Sequence, residues 1–329
     1  MNYRAFVVAQ SQEGVFEGKV KTLPLKDLPK GDVLIKVECS SLNFKDALSF
    51  SGSKGVTKQF PHTPGIDAAG KVVSCTSGGF IEGQSVLVIG YDLGMNTNGG
   101  FGEYISVPKE WVMPMPTDMT AKQGMAWGTA GFTAALCIDK LIMAGAKSEQ
   151  GPILVSGASG GVGSIAIMLL SKLGFEVHAL TAKTADHDFF ERLGASNVVD
   201  RAVFLDQAKR PLLKPAYAAA IDVAGGELLA TLLKVIKPGG SVACCGLVAS
   251  IELNTTVLPF ILRGINLLGV DSVELPLHVK QSMWEKMSKE WALPELLKQC
   301  QVIQKEQLTD SLQLILDGSV KGRFILDHQ

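Results

Sequence analysis

The chain changes rhythm twice. Up to about residue 110, apolar positions either alternate with polar ones or gather into short runs, as in "YRAFVVAQ" (3–10), "DVLIKVECSSL" (32–42), "AAGKVVSC" (68–75) and "QSVLVIGY" (84–91). Such patterns predict strands, and the Gly and Pro residues of "LPKGD" and "FPHTPGID" predict the turns between them. Around residue 117 the spacing becomes helical: "TDMTAKQGMAWGTAGFTAALCIDKLIMAG" offers Thr117 or Thr120 as an N-cap and then a long helix. From residue 153 the two patterns take turns. "PILVSG" leads to a helix from about Val162 to Leu173, "EVHAL" to the helix "ADHDFFERLG", and "AAAIDVAG" to "ELLATLLKVI". Further strands follow at "GSVACCG" and "INLLGVDSV", and the tail adds a helix and a short strand after "DGSVKGR". Strands alternating with helices predict a parallel, doubly wound sheet, hence an α/β fold.

Composition narrows the function classes. At 329 residues the chain has length for two domains. Apolar residues make up 47% and charged ones 19%, which suits a compact protein with much buried or subunit-interface surface. The 31 basic and 32 acidic residues nearly cancel, and no basic block stands out, so nucleic acid and an anionic membrane are poor partners. The apolar stretch "MAWGTAGFTAALCI" (125–138) is shorter than the roughly 18 residues a membrane span requires and reads as a buried helix. Six scattered cysteines form no CxxC pair, and nothing resembles a secretory signal; a reduced, cytoplasmic setting is expected.

The stretch "ILVSGASGGVGS" (153–164) carries the first chemistry. Ala158, Gly160 and Gly163 occupy the three positions of a G/A-x-G-x-x-G fingerprint, with Gly157 and Gly161 as further small residues. A strand that turns tightly into a helix, lets a pyrophosphate approach the backbone and packs closely on its sheet needs small residues at those places. The helix N-terminus then offers free N–H groups to the phosphates. Glycine-rich turns also occur for structural reasons alone, but here the fingerprint follows a strand and opens a helix. The end of the second strand selects the dinucleotide. An acid there would accept from ribose hydroxyls; "ALTAK" instead provides Thr181 and Lys183, with no acid before Asp186. A hydroxyl and an ammonium suit a 2′-phosphate, so NADPH is expected. In the plain alternative Lys183 is a solvated helix-start residue and Asp186 a cap.

Several stretches keep order and spacing from residue 40 to 273: "SSLNFKDAL", "PGIDAAG", "GTAGFTAALC", "SGASGGVGS", "ACCGL", "LPFILRG" and "LLGVDSV". Together they resemble the acrylyl-CoA reductase family, often labelled quinone oxidoreductase-like, in the zinc-free branch of the medium-chain dehydrogenase/reductase superfamily. The resemblance implies a GroES-like β-rich catalytic domain, residues 1–125 with 300–329, and a Rossmann NADPH-binding domain, residues 126–299. Zinc-dependent members read Gly-His-Glu where this chain has Gly65-Ile66-Asp67; the first zinc ligand is replaced within "SSLNFKD", and residues 90–105 hold no cysteine. No metal is therefore expected. His62, beside two prolines, is expected to be structural.

What the resemblance implies for the site follows residue by residue. Asn43 and Phe44 of "SSLNF" are expected beside the nicotinamide; family members often carry Tyr at the second place, and Phe44 can pack there but cannot donate a proton. Asp67 could orient a water or a side chain, or merely cap local N–H groups. Arg323 of "VKGRFIL" could meet a phosphate or a thioester oxygen, or be a surface ion-pair partner. Ser159, Gly160, Gly161 and Val162 go to the pyrophosphate; Thr181, Ala182 and Lys183 go to the adenosine phosphate, with Arg201 as a further basic candidate. Gly246 and Leu247 follow a strand and are expected at the carboxyl edge of the sheet, where ligands bind; Val270, Asp271 and Ser272 end the next strand and are expected to face the nicotinamide. Cys244 and Cys245 read as small core residues, with Cys245 alternatively lining the cofactor cleft, and Trp284 and Trp291 read as packing. The implied reaction is NADPH-dependent reduction of a conjugated C=C bond, with acrylyl-CoA as substrate. A quinone or free-enone reductase uses the same hydride step, and a non-catalytic, crystallin-like NADPH-binding protein is the reading of another class. The apolar "INLLGVDSV" strand, if at a sheet edge, predicts a homodimer.

Overall fold

A computed structural model describes all 329 residues. The first strands are β1 (Asn2–Gln10), β2 (Phe16–Pro24) and β3 (Val33–Ser41), followed by a short helix, α1 (Phe44–Phe50). Next come β4 (Asp67–Cys75), β5 (Ser85–Ile89), β6 (Tyr104–Val107) and β7 (Met113–Pro114). In β3 the alternation Val33, Ile35, Val37 turns one face inward, where it meets Ala68, Val72, Val86, Val88 and Ile105. Strands β1 and β2 form a separate hairpin.

Helix α2 (Ala121–Met143) starts at Thr120, not Thr117. Gln123 N donates to Thr120 Oγ1 (3.2 Å) and Thr120 N to Gln123 Oε1 (2.9 Å), a reciprocal capping box. The helix is not continuous, because Gly128 breaks it with φ +48° and ψ −160°.

The doubly wound part alternates β8 (Ile153–Ser156), α3 (Gly161–Lys172), β9 (Val177–Thr181), α4 (His187–Leu193), β10 (Asn197–Asp200) and α5 (Arg201–Asp206). It continues with β11 (Tyr217–Asp222), α6 (Gly226–Val235), β12 (Ile236–Cys244), α7 (Leu258–Arg263) and β13 (Asn266–Gly269). All pairings are parallel, in the order β10-β9-β8-β11-β12-β13. That is the Rossmann order, reversing between β8 and β11, the switch point at which such sheets bind ligands. Strand β13 lies at the sheet edge but spans only four of the nine residues of "INLLGVDSV". Strands β2, β6, β7 and β10 and helices α1, α5 and α7 escaped the periodicity reading; β2, "FEGKVKTLP", is solvated and lysine-bearing, and the others are too short to show a period.

The chain ends with α8 (Leu277–Ser288), β14 (Cys300–Ile303), α9 (Leu308–Leu316) and β15 (Arg323–Asp327). Strand β15 pairs with β3 on one side and β14 on the other, extending a seven-stranded sheet. Two compact units result: Met1–Thr129 with Val273–Gln329, and Ala130–Ser272. The return to the first unit therefore falls near Val273, where the sequence suggested 300. Lys280 accounts for this: fully buried, its ammonium donates to Ile89 O (2.9 Å) and Val273 O (2.8 Å) and lies 3.4 Å from the centre of the Tyr91 ring. Tyr91 in turn donates its hydroxyl to Leu275 O (3.0 Å). Trp284 and Trp291 are core residues, as their spacing suggested.

Candidate functional site

In the second unit the carboxyl ends of the parallel strands gather most of the expected cofactor residues. Strand β8 ends at Ser156, and the chain turns through Gly157 at φ +56°. A Cβ on Gly163 would lie 2.4 Å from Gly157 O, so the helix–turn contact demands glycine there. Gly160 differs. Its nearest neighbour would be 3.4 Å from an added Cβ, an acceptable contact, so protein packing does not require glycine at this place. The open cradle before α3 instead suits a ligand that comes close to the backbone. Gly161, Val162 and Gly163 are the first residues of α3, and their N–H groups precede its hydrogen-bond ladder. The turn is braced from beneath: Ser156 Oγ donates to Asp222 Oδ1 (2.7 Å) and accepts from Val223 N (3.0 Å), while Gly225 N donates to Asp222 Oδ2 (2.7 Å).

Strand β9 ends at Thr181, whose buried hydroxyl accepts from Lys183 N (3.0 Å). Its sheet partner is Asp200, and Arg201 follows directly, so Thr181, Ala182, Lys183 and Arg201 share one corner. The Asp200 carboxylate is occupied, accepting from Ala202 N (2.8 Å) and Val203 N (2.9 Å) as the cap of α5. Two cations and a hydroxyl thus stand where an acid would select an unphosphorylated ribose. Gly246 and Leu247 follow β12, and Val270, Asp271 and Ser272 follow β13, on the same edge. Ser272 is fixed there, its hydroxyl accepting from Thr133 Oγ1 (2.8 Å).

In the first unit the expected catalytic residues converge on Asp67, a fully buried residue opening β4. Its Oδ2 accepts from Ser41 Oγ (2.5 Å), Asn43 Nδ2 (2.8 Å) and Thr129 N (2.9 Å), and its Oδ1 from Thr129 Oγ1 (2.5 Å). Asn43 spends its second amide proton on Ser41 O (3.3 Å). Asp67 is thus the hub of a network, not a simple turn cap. Arg323 is buried, which removes the surface ion-pair reading; its Nε and Nη2 have no hydrogen-bond acceptor. Burial draws the guanidinium pKa down and the charges of Asp67, Cys300 and Asp46 oppose that. Both Arg323 Nη2 and Asp67 Oδ2 lie against Gly128, 2.8 and 2.6 Å from where a Cβ would stand.

The sequence reading missed Asp46. It is fully buried, accepting from Gly65 N (3.1 Å), Ile66 N (2.9 Å) and Asn43 N (2.8 Å). Burial, and then the Asp67 charge, push its carboxyl up to about 7. The spacing Asn43-x-x-Asp46 carried the signal, since it is a capping-box pattern at the head of a helix. Phe44, the first residue of α1, is half-buried. His62 is structural as expected: its Nε2 lies 2.9 Å from Gly94 O, and burial lowers its pKa.

The same network tests a metal. A zinc site needs three or four nitrogen, sulfur or carboxylate ligands. Around Asp67 the protein offers two hydroxyls, an amide and a backbone N–H, which already donate to the carboxylate, and a buried guanidinium close by. The donor set does not fit zinc.

Two family models match the chain: the alcohol dehydrogenase GroES-like domain over residues 29–117 and the zinc-binding dehydrogenase over residues 161–291. YhfP of Bacillus subtilis, which carries a quinone oxidoreductase name, is 42% identical over 93% of both chains. Acrylyl-CoA reductase AcuI of Ruegeria pomeroyi is 39% identical over 99% of both. This chain belongs to the acrylyl-CoA reductase and quinone oxidoreductase-like family. Among solved structures, the yhdH oxidoreductase of Salmonella enterica in complex with NADP superposes with TM-score 0.95 at 37% identity, covering 100% of both chains. Bacillus subtilis yhfP with NAD bound gives TM-score 0.95 at 40% identity over 99% of both. The family is one of medium-chain oxidoreductases, and the GroES-like domain and Rossmann sheet expected from the motifs are both present.

Proposed function

We propose that this chain is a zinc-independent, NADPH-dependent reductase of a conjugated C=C bond, acting on acrylyl-CoA. One observation carries the reading. At the position of the zinc-site glutamate, the Asp67 carboxylate is held by Ser41, Asn43 and Thr129, so both of its oxygens already accept from protein donors. Without a metal to polarise a carbonyl, the acceptor must itself stabilise the charge that hydride addition creates, and an enoyl thioester does so as an enolate.

The residues of the second unit fit a phosphorylated dinucleotide. The α3 N-terminus and the Gly160 cradle would hold the pyrophosphate, and Thr181, Lys183 and Arg201 the 2′-phosphate. NADPH, when bound, supplies a hydride to the β-carbon. The chain's own residues orient and exclude. Asn43 and Thr129 fix Asp67; the buried Arg323 balances the charge of Asp67 and acts as a positioning residue. Phe44 packs without donating a proton, and water protonates the α-carbon.

The edge strand β13 and the exposed Ile251, Val257, Ile261 and Leu262 just before it support pairing of two copies into a homodimer. Six free cysteines fit a reducing, cytoplasmic setting, and no helix is long and apolar enough to cross a membrane.

Steady-state kinetics test the reading. Acrylyl-CoA with NADPH should give a kcat/KM well above that of any quinone or free enone, unchanged after chelation and with no bound metal by elemental analysis. Equal turnover of quinones would favour the second reading, which the YhfP relative's name supports. Tight NADPH binding with no turnover at all would overturn both.

A further inference from the structure

The parallel sheet has a second edge, away from the glycine turn. There the chain entering β11 meets the chain entering β12: Leu213 N donates to Lys234 O (3.1 Å), Ala216 N to Val235 O (2.9 Å), and Tyr217 pairs with Ile236. Arg263, the last residue of α7, locks the junction by donating Nη1 to Lys234 O (2.7 Å) and Nη2 to Leu213 O. Beside it lies a cavity of about 360 Å³ lined by Lys209, Arg210, Lys234, Asn254, Thr255 and Thr256.

We propose that this cavity binds the di- or triphosphate group of a small molecule, at a site separate from the dinucleotide edge. Three cations line it and no carboxylate does. None of the three forms an ion pair; Lys234 Nζ makes one hydrogen bond, to Ala208 O (2.6 Å), which leaves two of its protons for a ligand. Three like charges around one cavity repel, and a multivalent anion relieves that repulsion. Arg210 offers a fork suited to phosphate oxygens, and the Asn and Thr side chains add neutral donors. The cavity is open to solvent and in the size range of small-ligand sites. Arg263 and Lys234 tie loop 208–213 to the end of α6. At ~3.3 Å per strand residue, the six residues of β11 put it about 20 Å from the carboxyl edge. Phosphates bound here are not those of the dinucleotide.

Isothermal titration of the full chain with inorganic pyrophosphate, with and without saturating NADP⁺, tests the site. One pyrophosphate per chain should bind in the presence of NADP⁺, with an affinity that falls steeply as salt rises. The double substitution K209A/R210A removes two exposed side chains, so folding and NADPH turnover should be unchanged while pyrophosphate affinity drops about ten-fold or more, each lost charged hydrogen bond being of order 1.5–3 kcal/mol. K183A should leave pyrophosphate binding intact. The proposal fails if no saturable heat appears, if NADP⁺ competes it away, if K209A/R210A binds as the parent does, or if orthophosphate binds as tightly as pyrophosphate. None of these outcomes depends on which substrate the enzyme reduces.

Discussion

Substituting Gly128 by alanine should damage the Asp67 network more than its single methyl group suggests. The backbone there, φ +48° and ψ −160°, lies where L-residues are rarely found, and holding alanine in it costs on the order of 1–3 kcal/mol. The methyl would also stand 2.4 Å from Ser41 Oγ, 2.6 Å from Asp67 Oδ2 and 2.8 Å from Arg323 Nη2. These are three buried polar groups with little freedom to withdraw. Moving Asp67 away from Ser41 or Asn43 leaves a buried acceptor short of donors, about 1–3 kcal/mol more. The sum is roughly 2–6 kcal/mol. Gly318→Ala is the control, since it sits in the same unit at φ +65° with nothing within 4 Å, and so reports backbone strain alone. Thermal unfolding should place G128A well below G318A, and steady-state turnover should fall in G128A only. If the two variants melt together and G128A keeps full kcat, steric protection of the network by Gly128 is wrong.

Lys183→Ala should raise KM for NADPH about ten-fold while hardly changing that for NADH, because only the former has a 2′-phosphate to lose a charged partner; equal effects on both would place Lys183 elsewhere. Ile261→Ser with Leu262→Ser, both exposed, should shift light scattering from dimer to monomer without loss of secondary structure by circular dichroism. Thr129→Val removes the hydroxyl that donates to Asp67 Oδ1 and should cost about 1–3 kcal/mol of stability, read as a lower melting temperature, with lower kcat.

How much of this was legible follows from what each residue does. The glycine turn could be read because its function is conformational: Gly157 and Gly163 are demanded by a positive φ and a 2.4 Å approach, and both leave a mark in sequence. The doubly wound sheet could be read because β8, β9, β11 and β12 are buried and bracketed by helices. Strand β10 could not, being four residues without a continuous apolar run. The Asp67 network was half legible. Asn43, Asp67 and Arg323 stood out by motif, but their partners Ser41, Thr129 and Asp46 are ordinary residues in ordinary sequence, brought together only by β3, β4, β15 and the break in α2. The unit boundary was misplaced for a similar reason. Nothing local in "LPLHVKQSMWEKMS" says that Lys280 is anchored on Ile89, nearly two hundred residues earlier.

Asp46 and His328 give the first unit a pH dependence in which two opposite slopes overlap. Asp46 has its carboxyl pushed up to about 7, against about 3.8 when unfolded. Between those values the folded chain keeps a proton that the unfolded chain releases, so stability falls as pH rises, by at most about 1.4 kcal/mol per pH unit. His328 runs the other way. Burial, and then Lys305, hold its imidazole down to about 4, against 6.5 unfolded, while Gly100 O, 2.8 Å from Nε2, and the charges of Glu103 and Asp327 oppose them. From pH 6.5 down to 4 the unfolded chain gains a proton that the folded chain refuses, so this contribution is lost as pH falls. In the parent the two offset one another between about pH 4 and 6.5, and only the Asp46 slope remains from there to about 7. Asp46→Asn should therefore unmask a melting temperature that climbs from pH 4 to 6.5, and His328→Gln one that declines over the same range. The difference between the two variants cancels every other titrating group they share. Parallel pH profiles for D46N and H328Q would mean that neither group titrates as its surroundings require.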